Sequence, residues 1–409
     1  MSEVTPHRSV DRLAAIDAPP SPPARTRPTH PQGWEPGISW DGAAGTVTAE
    51  ADAGPDADPA LWAEIVRDWG INPATTEIVD GSAQLRAYDA PIGNGETKRV
   101  KYYRVSVRAR RSATDAADIE AIKRTVTRRK PKRTPAPSAR RASLVVALSD
   151  WQIGKGEGGG TARTVDQIVS AREALVEHVC TVGPLESVVL LGLGDLVEHC
   201  SGHYASQAFS TDLDEREQLR VARRLILSFV DAVLGVAPHV VLGAVPGNHG
   251  ERRQNGKAYT RSTDNDDLAV VEQVAEIMAA NPDRYGDVST VLADGLTLTL
   301  DVSGVVLGAT HMHQATGGGG PEGKAARWWS GQALGRTPIG DADMLLSGHY
   351  HHLHVSESTG RTWMQAPAID PGSKYWTEAT GQASPPGMLT VVVGADCGRR
   401  GWERLEVLG

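Results

Sequence analysis

Val240-Val241-Leu242-Gly243-Ala244-Val245-Pro246-Gly247-Asn248-His249-Gly250-Glu251-Arg252 decides how this chain is read. An apolar run, Val240-Val241-Leu242, climbs to a Pro-Gly turn and delivers an Asn-His pair to the loop beyond it. Open α/β sheets place ligands on loops that leave the ends of buried strands. Alone the signal is weak, because Asn, His and Gly are ordinary turn residues. It gains weight because Asp150-Trp151-Gln152, Gly194-Asp195, Thr310-His311-Met312-His313 and Gly348-His349-Tyr350-His351 follow apolar runs in the same way. Five strand-end clusters rich in metal-binding side chains point to a metal site.

Working outward, residues 143–409 alternate strand and helix before turning β-rich. Leu144 to Leu148 is near-continuously apolar, as in a strand buried on both faces. Thr164–Val182, Asp212–Leu234 and Asp266–Ala280 read as helices, and Ser187–Leu193 and His239–Val245 as strands. Beyond Asp283, Leu296–Val302, Val305–Ala309, Met344–Ser347 and Met388–Val393 read as strands. The expected fold class is α/β: two packed sheets flanked by helices, with a small N-terminal α+β domain.

That small domain is expected over 34–110. It opens with a hairpin, Ile38-Ser39-Trp40 against Gly45 to Thr48. A helix follows, capped by Asp58 with Pro59 at its first position and ended by Gly70. Val100–Val107 is a strand with Tyr103, Val105 and Val107 on one face. Residues 1–33, centred on Pro19-Pro20-Ser21-Pro22-Pro23, are expected to be disordered, because they have too little apolar surface to offset ordering entropy. Residues 111–142 form a basic linker that includes Arg128-Arg129-Lys130-Pro131-Lys132-Arg133. It is either a solvated connector or a contact for phosphate backbones, which implies DNA as partner.

Composition narrows the class. The 409 residues are 40% hydrophobic with a formal net charge of −8, so the whole chain is not a generic polyanion binder. No apolar stretch approaches the roughly 20 residues that span a bilayer, and Met1–Asp17 lacks a signal peptide's apolar centre, so a cytoplasmic location without membrane association is expected. The 3 cysteines, Cys180, Cys200 and Cys397, form no CxxC and argue against a structural zinc knuckle.

A dinuclear centre needs hard oxygen or imidazole ligands and one carboxylate able to bridge two ions roughly 3.5–4 Å apart. Asp195, directly after Gly192-Leu193-Gly194, whose glycines let the backbone approach a metal closely, is the natural bridge, and Asp150 is a second carboxylate. Asn248, His311, His349 and His351 complete a mixed shell suited to Mn, Fe, Mg or Zn. His313 is the alternative to His311, which ends its strand directly.

At these residues the chain resembles the calcineurin-like metallophosphoesterases, whose motifs run D-x-H, G-D-x-x, G-N-H, H and G-H-x-H. The resemblance covers about residues 143 to 395. It implies two divalent ions, Mn²⁺ before Mg²⁺, Fe²⁺ or Zn²⁺, and a phosphodiesterase using a bridging hydroxide. By resemblance Asp150, Gln152, Asp195 and His351 hold the first ion, and Asp195, Asn248, His311 and His349 the second. His249 is then the catalytic residue outside the metal shell, donating to the phosphoryl or leaving oxygen. Gln152 departs from the family's histidine and implies a looser first site. Glu198 stands where nuclease members often carry histidine, with His199 one place on.

The basic linker, and likeness to the repair-nuclease and phage-borne branches, favour a DNA nuclease. The alternatives are a small-substrate phosphatase or cyclic-nucleotide phosphodiesterase, and a catalytically weak DNA-binding or scaffold protein. Arg252, His203 and Tyr204 are candidates for substrate contact. Trp328 and Trp329 read as core. Gly318–Lys324 imitates a phosphate loop, but Ala325 lacks the hydroxyl that magnesium would need.

Overall fold

The computed structural model describes residues 30–31, 33–40, 45–68, 71, 76–93, 96–109, 139–203, 207–372 and 384–409. The proline-rich run at 19–23, the basic stretch 110–138, Gly70 and Tyr204 lie outside them.

Residues 37–109 build a five-stranded antiparallel sheet around one long strand. Its elements are β1 (Gly37–Trp40), β2 (Gly45–Glu50), α1 (Pro59–Asp68), β3 (Thr76–Ile78), β4 (Gln84–Gly93) and β5 (Glu96–Ala109). The expected hairpin forms, with Ile38 opposite Val47. The Asp58 carboxylate accepts from the Leu61 amide at 3.0 Å and satisfies one of the N–H groups that a helix start leaves without a partner. Trp62 and Val66 of α1 pack on Val47, Val105 and Val107, all buried. One member of that core comes from far along the chain. Phe209, fully buried, plugs in beneath the sheet, and its carbonyl accepts from the Thr76 hydroxyl at 3.3 Å.

The larger part is a four-layer stack of helices, sheet, sheet and helix. β6 (Ser143–Leu148), α2 (Gly160–Thr181), β7 (Val188–Gly192), a short α3 (Gln207–Ser210), α4 (Glu215–Leu234) and β8 (Val240–Ala244) make two successive parallel β-α-β crossovers. A two-stranded ribbon, β9 (Arg253–Gln254) with β10 (Lys257–Ala258), precedes α5 (Asp266–Ala279), α6 (Pro282–Tyr285) and β11 (Val288–Leu292). The second sheet follows with β12 (Thr297–Val302), β13 (Val305–Thr310), α7 (Gly320–Leu334), β14 (Met344–Ser347), β15 (His354–Ser358) and β16 (Arg361–Gln365). β17 (Met388–Val393) and β18 (Trp402–Leu408) then return to the first sheet. The orders are β11-β8-β7-β6-β17-β18 and β12-β13-β14-β16-β15.

Side-chain alternation assigns each face. Leu144, Val146 and Leu148 point to the helices with Ile168, Leu225 and Val271, whereas Val145 and Ala147 point to the second sheet and meet Leu307, Leu346 and Met364. On the far side, Leu345 and Trp363 face Ala325, Trp328 and Trp329 of α7, as expected for a core tryptophan pair. This is the two-sheet α/β sandwich flanked by helices. No helix among the described residues is long and apolar enough to cross a membrane.

Candidate metal centre

The parallel strands β6, β7 and β8 of one sheet and β13, β14 and β16 of the other end at a common rim. The first two loops are zipped together. Asp150 N donates to Gly194 O at 3.1 Å, Gln152 N to Asp195 O at 2.9 Å, and Ile153 N to Leu196 O at 3.1 Å. The backbone is strained where the polar residues sit. Asp150, Gln152, Asp195, His349 and His351 have φ of 52°, 43°, 52°, 80° and 61°, in the left-handed region that costs a non-glycine residue about 1–3 kcal/mol. Strain at five strand-end residues of one rim marks a site whose geometry is imposed by its surroundings. Gly194, at φ 89°, permits the closest approach: a Cβ there would lie 2.6 Å from Gly247 Cα and 2.8 Å from His311 Nδ1.

Ligand atoms of Asp195, His311 and His349 lie within 4.8 Å of one another. His311 Nδ1–H donates to Leu193 O at 2.7 Å, so its Nε2 faces the pocket. There it meets Asp195 Oδ2 at 2.9 Å and Asn248 Oδ1 at 3.1 Å. Three electron-rich atoms converge, an arrangement satisfied only by a proton or a cation. The titration of the group reflects this. Burial pushes the imidazole down, but the Asp195 charge outweighs it and holds His311 at about 10. Burial also raises Asp195, yet His311 and His249 hold it well below the usual carboxylate range. His349 is pushed down to about 3 by burial and by His311, so it is a neutral imidazole with a lone pair to offer. The donor set of Asp195, Asn248, His311 and His349 therefore fits a divalent ion. His313 is turned aside, with Nε2 3.3 Å from Glu251.

The remaining expected ligands are arranged differently. Asp150 is fully buried, accepts from the His349 amide at 3.1 Å, and lies 3.2 Å from His351 Nε2. Gln152 does not present a free oxygen: its Oε1 accepts from Lys155 Nζ at 3.0 Å. Lys155 is also ion-paired to Asp370, a buried carboxylate on the loop after β16.

Beside the cluster, the His249 amide donates to Asp195 Oδ1 at 2.8 Å. Its Nδ1 is engaged by Glu198, 3.0 Å from the carbonyl and 3.3 Å from Oε2. The ring stacks on His203, centroids 4.4 Å apart and 15° between planes. His203, read from the sequence as a candidate substrate contact, is here a ring partner of His249. Arg252 is held by Asp266, whose carboxylate accepts from both its terminal nitrogens, at 2.7 and 2.6 Å.

Sequence reading missed Asp267, which holds the site's backbone. Its carboxylate accepts from the amides of Asp195 at 3.0 Å, Leu196 at 2.8 Å and Gly247 at 2.9 Å. Asn265 completes the clasp: Oδ1 accepts from the Asp267 amide and Nδ2 donates to Gly247 O. The only signal was an Asn-Asp-Asp run at a helix start, where these residues also serve as plain caps. Asp370 and the contact of Glu198 with His249 were missed as well.

His199 anchors the loop behind this site, with Nε2 2.6 Å from Asp266 and Nδ1 3.2 Å from Glu215. Burial lowers its pKa, but the two carboxylates outweigh that and raise it to about 9. A raised folded value stabilises the fold fully below the unfolded pKa near 6.5, and the contribution disappears as pH rises through 9. The shift is worth on the order of 3 kcal/mol. Denaturant titrations should show stability falling between pH 7 and 9.5, and a flatter profile in His199→Gln. A variant profile as steep as the wild type would contradict this assignment.

No family model matches the chain, and no curated protein does. Solved structures similar to it include a single mutant of Vps29 from Entamoeba histolytica, 12% identical, with 66% of this chain and 99% of that one covered at TM-score 0.29. A novel archaeal phosphodiesterase is 11% identical, with 65% and 99% covered at TM-score 0.31. A conserved uncharacterized protein of Streptococcus pneumoniae, described as a predicted phosphoesterase, is 11% identical, with 62% and 85% covered at TM-score 0.27.

Proposed function

We propose that this chain is a metal-dependent phosphoesterase that hydrolyses phosphodiesters, with DNA the substrate favoured by its basic stretch. The observation that carries the reading is the convergence of Asp195, Asn248, His311 and His349 on one pocket with His249 at its edge. The motif order that resembles calcineurin-like metallophosphoesterases agrees with it.

Asp195, Asn248, His311 and His349 would hold a divalent ion, Mn²⁺ being the first choice; a bound ion supplies Lewis acidity and lowers the pKa of water towards about 7. The protein's own groups do the rest. Glu198 engages Nδ1 of His249 and leaves Nε2 for substrate, while the stacked His203 ring fixes the plane. Burial lowers the pKa of His249, but the Glu198 and Asp195 charges prevail and raise it above the ordinary histidine value. That shift favours the imidazolium, the form suited to give a proton to a leaving alkoxide.

The test offers Mn²⁺-loaded full chain labelled single- and double-stranded DNA and, in parallel, bis(p-nitrophenyl) phosphate, with Asp195→Ala as control. DNA cleavage lost in the control supports the proposal. Dye cleavage with intact DNA retains the chemistry and moves the substrate to a small phosphoester. Inactivity on both favours a binding or scaffold protein.

A further inference from the structure

The rim holds a cation of its own. Lys155 Nζ lies 3.0 Å from Gln152 Oε1 and is ion-paired to Asp370, and the Lys155 and Asp370 side chains are 13% and 0% exposed. His351 stands between two carboxylates, Nε2 3.2 Å from Asp150 Oδ1 and Nδ1 3.7 Å from Asp370 Oδ1. A divalent ion bound by the Gln152 oxygen would therefore sit against a buried ammonium, where like charges repel strongly. Asp195, Asn248, His311 and His349 make no hydrogen bond or ion pair to lysine or arginine among the described residues.

Resting on the phosphoesterase reading, we propose that the centre takes one divalent ion, in the Asp195–Asn248–His311–His349 pocket. The Lys155 ammonium is the second cation, standing where a first metal would be expected. Of its three N–H donors, Gln152 and Asp370 use two, which leaves the third for a phosphoryl oxygen. The glutamine at position 152 fits this role: a neutral amide oxygen accepts from an ammonium without adding charge, whereas a protonated imidazole would repel it.

The experiment counts metal. Full-length protein is stripped with chelator, reloaded with Mn²⁺ and freed of excess by gel filtration. Metal is then quantified by mass spectrometry and its spin state read by electron paramagnetic resonance. One equivalent with the six-line spectrum of an isolated ion is expected. Lys155→Met, which removes the ammonium, should gain a second equivalent and an exchange-coupled spectrum, while Lys155→Arg stays at one. With Mn²⁺ held at one equivalent, inorganic phosphate should bind Lys155→Met about tenfold more weakly in calorimetry, the loss of one charged hydrogen bond. Lys155→Met combined with Asp370→Asn removes both charges and gives the same metal gain should the single variant not fold. Two equivalents in the wild type overturn the proposal alone. One equivalent and unchanged phosphate affinity in Lys155→Met overturn the role of Lys155. No bound metal and no phosphoester hydrolysis overturn the underlying phosphoesterase reading as well.

Discussion

His249→Ala is expected to slow phosphodiester hydrolysis by roughly 10²–10⁴-fold, the usual worth of a general acid, while metal content stays at the wild-type level. His249 contributes no atom to the convergent pocket; it touches Asp195 only through its backbone amide, which alanine keeps. The loss should therefore fall on kcat more than on KM. The wild-type rate should also fall as pH rises through the raised His249 value, since the proton on Nε2 is the one donated. That alkaline limb should be missing in the variant. Glu198→Gln is expected to reproduce part of the defect, because it removes the charge that holds the imidazolium. Unchanged turnover in His249→Ala would remove the residue from the mechanism.

Asp267→Ala should cause the largest loss of stability of any single change at the site. Three buried amides, those of Asp195, Leu196 and Gly247, lose their acceptor at once. Each orphaned donor costs about 1–3 kcal/mol, so the sum reaches roughly 3–9 kcal/mol. That is most of the 5–15 kcal/mol by which a typical fold is stable. Burial, with the neighbouring Asp195 charge, raises the Asp267 carboxyl to about 6, so the clasp is costly as well as strong. Asp267→Asn keeps one acceptor oxygen but turns an NH₂ towards a backbone N–H, and should fall between alanine and wild type. Urea denaturation measures both variants. A loss below about 1 kcal/mol in Asp267→Ala would show that the two loops are held by something else.

The strand-end clusters were legible because buried parallel strands are short apolar runs, and whatever follows them is displayed at one rim. Asn248, His311 and Asp195 could be placed from that rule alone. Asp267 could not. It acts on backbone amides 72 and 71 positions away, and nothing local separates such a carboxylate from a helix cap. The pairing of Lys155 with Asp370 spans 215 positions and was hidden for the same reason. Arg252 was read from its nearness to the Asn-His loop; its pairing with Asp266, fourteen positions on, was not legible there. Helix boundaries slipped where caps act. Asp212–Leu234 was expected to be continuous, yet Asp214 closes a capping box with Glu217 and α4 starts at Glu215. α7 went unread because its first turn is glycine-rich; Ala325, Trp328 and Trp329 packing on Leu345 and Trp363 outweigh that weak propensity. β15 and β18 were missed because their mostly half-buried and exposed residues carry no clear apolar run.

The measurement that bears most directly on the metal-dependent phosphoesterase is hydrolysis of bis(p-nitrophenyl) phosphate by chelator-treated full-length protein titrated with Mn²⁺, beside Asp195→Ala. The site described here predicts no turnover in chelator, a saturable return as Mn²⁺ is added, and no return in Asp195→Ala. Turnover that survives chelation, or that returns equally in Asp195→Ala, would contradict it.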